Sequence, residues 1–201
     1  MPFHEPPKAA TKSVVVVADI FGRTPHLEEC ASWFARDAAP LIVDPYCGSL
    51  RSFADEAEAH AAFQAERGLE RLTDLVREAV AGVAGPVDLV GFSVGAAAVW
   101  RVAAEIPGPG RAVCFYGSRI RDYPDLAPRR ETLLVFPRSE PSFDVRALAR
   151  SLRGRPNVRV LRTPWLHGFL NPLSVNFSPR ASARLRNVLE RGEAGSLSAF
   201  L

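Results

Sequence analysis

Val87-Asp88-Leu89-Val90-Gly91-Phe92-Ser93-Val94-Gly95-Ala96-Ala97 is the stretch on which the fold turns. Its first half is apolar and short, as a buried strand should be. Its second half opens into Ala98-Val99-Trp100-Arg101-Val102-Ala103-Ala104-Glu105, a run of helix formers. Between them stands Gly91-Phe92-Ser93-Val94-Gly95, a G-x-S-x-G pentapeptide. Strand, sharp turn and helix in that order hold a serine in a strained backbone conformation, its hydroxyl raised above the end of the sheet. Gly91 and Gly95 carry no Cβ, so strand and helix can approach closely on either side. The pentapeptide alone is a weak signal; its flanks make it a strong one.

Working outward, strand-like and helix-like segments alternate from Ser13 to the end of the chain. Ser13-Val14-Val15-Val16-Val17-Ala18 is β-branched and apolar throughout, the pattern of a strand buried on both faces. Thr24-Pro25 reads as N-cap and first residue of a helix whose apolar face is Leu27, Cys30, Ala31 and Phe34. Leu41-Ile42-Val43-Asp44 reads as a second strand. Residues 52–84 read as helix in two pieces broken near Gly68. After the 87–97 stretch come strands at residues 111–116, 132–136 and 157–161, a helix over 143–152, and a last helix from Ser178-Pro179 to Arg191. This alternation predicts an α/β protein of the α/β-hydrolase fold, with about six mostly parallel strands and helices on both faces. Residues 1–12 are expected to be a flexible arm, 13–192 one domain, and 193–201 a tail.

Composition narrows the class. The chain has 201 residues, 47% of them hydrophobic, enough for a sizeable core and too many for a disordered chain. No apolar run approaches the ~20 residues that span a bilayer, and the first twelve residues lack the apolar segment of a secretory signal. Cys30, Cys47 and Cys114 are an odd count without a C-x-x-C pair, which fits a reducing cytoplasm. The formal charge is +3, but the basic residues are mostly arginines spread along helices and loops. Solvated helix faces explain them, and neither a nucleic acid nor a membrane is expected as partner.

A serine hydroxyl is a poor nucleophile at neutral pH and needs a base within hydrogen-bond reach, itself oriented by a third group. In the α/β-hydrolase fold these follow in the order serine, acid, histidine, each on a loop after a strand. Of four histidines, His4 lies in the arm, His60 on a polar helix and His26 in the first turn of a helix; His167 alone follows the last strand. Glu140, four residues beyond Phe136, is the preferred acid, and Asp144 the alternative. Oxyanion donors are expected from the Val94 N–H and from the loop Asp19-Ile20-Phe21-Gly22-Arg23.

These residues resemble a known family. Ala18-Asp19-Ile20-Phe21-Gly22, Thr24-Pro25-His26-Leu27, Val43-Asp44-Pro45-Tyr46, the serine turn, Cys114-Phe115-Tyr116-Gly117 and His167-Gly168-Phe169 stand in the order found in dienelactone hydrolase-type α/β-hydrolases. The resemblance covers about residues 15–189. It implies Ser93 as nucleophile, Glu140 at the acid position, His167 as base and the Ile20 N–H as second oxyanion donor. It also implies that Asp19 holds the resting nucleophile. The dienelactone enzymes use a cysteine where this chain has Ser93, usually an aspartate where it has Glu140, and an arginine after the histidine that Gly168-Phe169-Leu170-Asn171 lacks. Dienelactone itself is therefore not the expected substrate.

Phe21, Tyr46, Trp165 and Phe169 fall at the same edge of the sheet and are the candidate substrate-lining residues. The expectation is a serine esterase cleaving a small or medium, largely apolar ester or thioester through an acyl-enzyme. It requires no cofactor and no metal. A hydrolase-fold protein that binds a ligand or partner without turnover is the alternative, and acyl transfer to an alcohol would use the same residues. The tail Ser196-Leu197-Ser198-Ala199-Phe200-Leu201 can dock onto a second subunit, as in a homodimer, or back onto its own.

Overall fold

The computed structural model describes residues 12–35 and 38–191. Six strands form one sheet, β1 (Ser13–Val17), β2 (Leu41–Val43), β3 (Val87–Phe92), β4 (Ala112–Phe115), β5 (Thr132–Phe136) and β6 (Val158–Arg162). They lie in the order β2-β1-β3-β4-β5-β6, and every pairing is parallel. Parallel neighbours need a crossover between them, and helices α1 (Pro25–Phe34), α2 (Glu56–Ala65), α3 (Gly68–Ala81), α4 (Val94–Glu105) and α5 (Val145–Leu152) lie in those connections, except between β4 and β5, where a 3-10 turn (Ser118–Asp122) stands; α6 (Pro179–Glu190) follows β6.

Strand side chains alternate between the two faces, and each face closes on its own core. Val15, Val17, Leu89, Cys114, Leu134 and Phe136 pack under α3, α4 and α5, where Leu72, Val76, Trp100 and Leu152 are fully enclosed. Val14, Val16, Val90, Phe92, Phe115 and Val135 face α1 and α6, meeting Leu27, Cys30, Ala31, Leu185 and Leu189. The uninterrupted valines of β1 are thus a strand buried on both sides.

Local signals set most boundaries. Thr24 caps α1 by accepting from the Leu27 N–H, and Ser178 caps α6 by accepting from Ala181. The segment expected to be helical from residue 52 begins at Glu56, because Asp55 accepts the Glu58 N–H and stops the helix from extending backward. Its break comes at Arg67 and Gly68, both with positive φ (65° and 54°). The predicted helix over 143–152 starts at Val145 for the same reason, with Asp144 as its cap. Of the expected arm and tail only Lys12 is described; the rest of both lies outside the described residues. Among the described residues no helix is long and apolar enough to cross a membrane.

Candidate active site

The loops at the carboxyl ends of the strands carry the site, as parallel α/β sheets favour. Ser93 sits between β3 and α4 with φ 52° and ψ −114°, a conformation that a side-chain-bearing residue adopts only when its surroundings impose it. Here they do. The Ser93 N–H donates to the Phe115 carbonyl at 3.0 Å, anchoring the turn to β4. A Cβ on Gly91 would meet the Gly95 carbonyl oxygen at 2.5 Å, and one on Gly95 would collide with the carbonyls of Val17 and Ala18. Both glycines are required by close approach rather than by positive φ, and the approach presses α4 against the ends of β3 and β1.

Ser93 Oγ lies 2.9 Å from His167 Nε2, and His167 Nδ1 lies 2.6 Å from Glu140 Oε1. A carboxylate only accepts, so Nδ1 carries the proton and Nε2 is left to accept from the serine. The Glu140 side chain is 7% exposed and that of His167 30%: the acid is sealed while the base faces the opening. Asp144 is elsewhere. Its Oδ1 accepts the N–H groups of Arg146 and Ala147 at the start of α5, which hold its carboxyl below the usual carboxylate range.

The cavity above Ser93 has a volume of about 390 Å³. Ile20, Val94 and His167 border it with the serine, and Val94 is the first residue of α4, where N–H groups have no partner within the helix. The two residues expected to supply oxyanion donors thus border the same cavity as the serine. The Ile20 carbonyl accepts the Tyr46 hydroxyl at 2.6 Å. Burial pushes that phenol up to about 12, so it stays a donor at any working pH.

Two expectations require correction. None of Phe21, Tyr46, Trp165 and Phe169 lines this cavity. Phe21, Tyr46 and Phe169 are buried, Phe21 and Tyr46 each packing on Phe53, and Trp165 packs on Phe169 at 5.3 Å between ring centres. Facing strand ends and a buried core at once, these rings take the core, where they recover most apolar area. The wall is polar instead: Ser118, Arg119, Arg121 and Asp122 from a 3-10 turn after β4, together with Ser142 and His60. Arg119 pairs with Asp122 at 2.9 Å, and Arg121 donates to the Ser118 carbonyl and lies over the Phe143 ring. Sequence reading missed this turn and left His60 on an outer helix face. No local pattern marks residues whose only shared property is the cavity they enclose.

Asp19 does not hold the serine. Its Oδ1 accepts the Phe21 N–H at 3.0 Å and its Oδ2 accepts from Asn171 Nδ2 at 2.6 Å, while the partner of Ser93 Oγ is His167. His26 is tied to the same region, donating from Nε2 to the Leu170 carbonyl at 2.6 Å. Among the described residues no three His, Cys, Asp or Glu side chains cluster to hold a metal ion.

Comparison with known proteins bears on the fold and the family. YczH of Bacillus subtilis (strain 168) is 28% identical over 189 residues, 92% of this chain and 93% of that one. A crystal structure from Klebsiella pneumoniae subsp. pneumoniae superposes with a TM-score of 0.67 at 17% identity, covering 98% of this chain and 88% of its own. The dienelactone hydrolase-like promiscuous phosphotriesterase P91 from metagenomic libraries gives 0.65 at 20% identity, covering 92% and 87%. These likenesses fix the α/β-hydrolase fold. The dienelactone hydrolase family model matches residues 3–143, well over half the sequence and through the serine turn. On that match, joined to the parallel sheet and the serine at its edge, the chain belongs to the dienelactone hydrolase family.

Proposed function

We propose that this protein is a serine hydrolase that cleaves a small ester or thioester through an acyl-enzyme. The observation that carries the reading is the continuous hydrogen-bonded chain from Ser93 Oγ through the His167 ring to Glu140. His167 Nε2 takes the hydroxyl proton as Oγ attacks the carbonyl carbon, and Glu140 balances the imidazolium that forms. The N–H groups of Ile20 and Val94 receive the negative charge on the carbonyl oxygen. Collapse expels the alcohol or thiol, which takes the proton from His167. Water then repeats the sequence on the acyl-enzyme and frees the acid.

The polar wall favours an ester that carries hydrogen-bonding or anionic groups near the scissile bond over the largely apolar one expected. Arg119 and Arg121 face one carboxylate, Asp122, so the turn keeps a net positive charge. The first test is stopped-flow hydrolysis of p-nitrophenyl acetate. A burst of about one p-nitrophenolate per subunit, followed by slower turnover and absent from Ser93→Ala, is expected for an acyl-enzyme. A linear trace retained by Ser93→Ala would remove the serine from the mechanism. P91 is named a phosphotriesterase, so a paraoxon-type triester belongs in the same screen.

A further inference from the structure

The oxyanion donor and the base belong to loops near opposite ends of the chain, and something must hold them in register. Asp19 directly precedes Ile20, and its Oδ1 closes a tight turn by accepting the Phe21 N–H. Its Oδ2 reaches across 152 residues of sequence to Asn171, four residues beyond His167. Asn171 in turn organises the base loop. Its N–H donates to the Gly168 carbonyl at 2.8 Å, its Oδ1 accepts the Leu173 N–H at 2.9 Å, and its carbonyl accepts the Ser174 N–H at 2.9 Å. With Oδ1 committed to an N–H, the amide has one orientation, and Nδ2 points to Asp19.

We propose that Asp19 and Asn171 form a positioning brace that ties the loop bearing the Ile20 N–H to the loop bearing His167, so that oxyanion donor and base keep one geometry through the reaction. The inference rests on the serine hydrolase reading and goes beyond it, because neither side chain is needed as a reacting group. The brace replaces the nucleophile-holding role expected of Asp19. Tyr46 supports the same loop from the other side through its bond to the Ile20 carbonyl. Burial raises the Asp19 carboxyl above its ordinary range, while the bonds from Asn171 and the Phe21 N–H, and the nearby His167, draw it back; Glu56 adds a smaller upward push. A group crowded in this way is held by its two donors, and loss of either removes one of the ties that fix the loop.

The brace makes an unusual prediction because its two ends can be exchanged. Asp19→Asn sets two amide NH2 groups against each other, and Asn171→Asp sets two carboxyls against each other. The double variant Asp19→Asn/Asn171→Asp rebuilds the bond with donor and acceptor reversed. The amide oxygen at position 19 still takes the Phe21 N–H, and the carboxylate at position 171 still takes the Leu173 N–H. The experiment measures kcat and KM for p-nitrophenyl acetate per active site, with sites counted by fluorophosphonate titration. Each single variant should lose about 10–100-fold in kcat with KM changed by less than about threefold, as misplacement by a fraction of an ångström does. The exchange should restore kcat to within about fivefold of wild type. Should a single variant fail to fold, Asn171→Ser, which removes the Nδ2 donor, is read in the same way.

Single variants with lower melting temperature but wild-type kcat per titrated site would reduce the pair to a structural contact and overturn the proposal. An exchange no better than the worse single variant would overturn it too. Wild type that turns over no ester removes the hydrolase reading and the brace with it; active wild type with fully active single variants removes the brace alone.

Discussion

Two carboxylates follow β5 within eight residues, and their partners separate them. Glu140 reaches His167 Nδ1 at 2.6 Å from a sealed position, and an isolated bridge to Phe143 steadies its backbone. Asp144 has turned to the first N–H groups of α5. Glu140→Gln offers an amide in place of the acceptor, and kcat should fall by up to about 10⁴-fold, the loss on neutralising a triad acid. Asp144→Asn should leave kcat at the wild-type value, since an asparagine also caps a helix. Its effect belongs to stability. A carboxyl whose folded pKa is depressed stabilises above its unfolded value of about 3.9 and loses that contribution as the pH falls through the folded value. Wild type should therefore lose stability relative to Asp144→Asn as a pH series of melts descends into that window. A kcat loss in Asp144→Asn larger than in Glu140→Gln would reverse the roles.

At the scale of elements, the site depends on how closely α4 is pressed against the sheet. Gly95 faces the Val17 and Ala18 carbonyls at the end of β1, immediately before Asp19 and Ile20. Gly95→Ala sets the new methyl against the Val17 and Ala18 backbone, with no flexible side chain to yield. Overpacking of this kind costs about 1–3 kcal/mol, read as a lower denaturation midpoint at unchanged m-value. The shift falls on the loop with the oxyanion donor, so kcat per titrated site should drop as well. A variant with wild-type midpoint and kcat would contradict the account of this contact. The strand, turn and helix that create the contact were readable because β-branched runs, G-x-S-x-G and a helix-forming stretch are local signals. So was the order of strand ends that pointed to Ser93, to His167 and to Glu140 ahead of Asp144; Ser93, His167 and Glu140 are the three side chains brought together here. The 3-10 turn with Arg119 and Arg121 was not, and neither was the Asp19–Asn171 bond, because their meaning depends on loops meeting in space. The rings near the site misled for a related reason: an aromatic residue at a strand end carries no mark of which way it faces.

Across the whole molecule, two cores on either side of one sheet leave the three cysteines in different surroundings. Cys30 lies on the buried face of α1 and Cys114 within β4, and burial pushes both thiols far up. Cys47 is exposed in the loop after β2. The folded protein should therefore react with about one equivalent of a thiol reagent such as DTNB near pH 8, and the denatured chain with all three cysteines. Rapid reaction of three in the folded state would mean that the cores on both faces open far more readily than this packing allows.

The central claim is that Ser93 is an activated nucleophile, and intact-protein mass after treatment with a fluorophosphonate tests it most directly. Wild type should gain the mass of one adduct per chain, lost in Ser93→Ala and slowed in His167→Ala, with the label recovered on the peptide that contains Ser93. A folded wild-type protein that stays unlabelled, or a Ser93→Ala variant that still takes up one equivalent, would contradict the account.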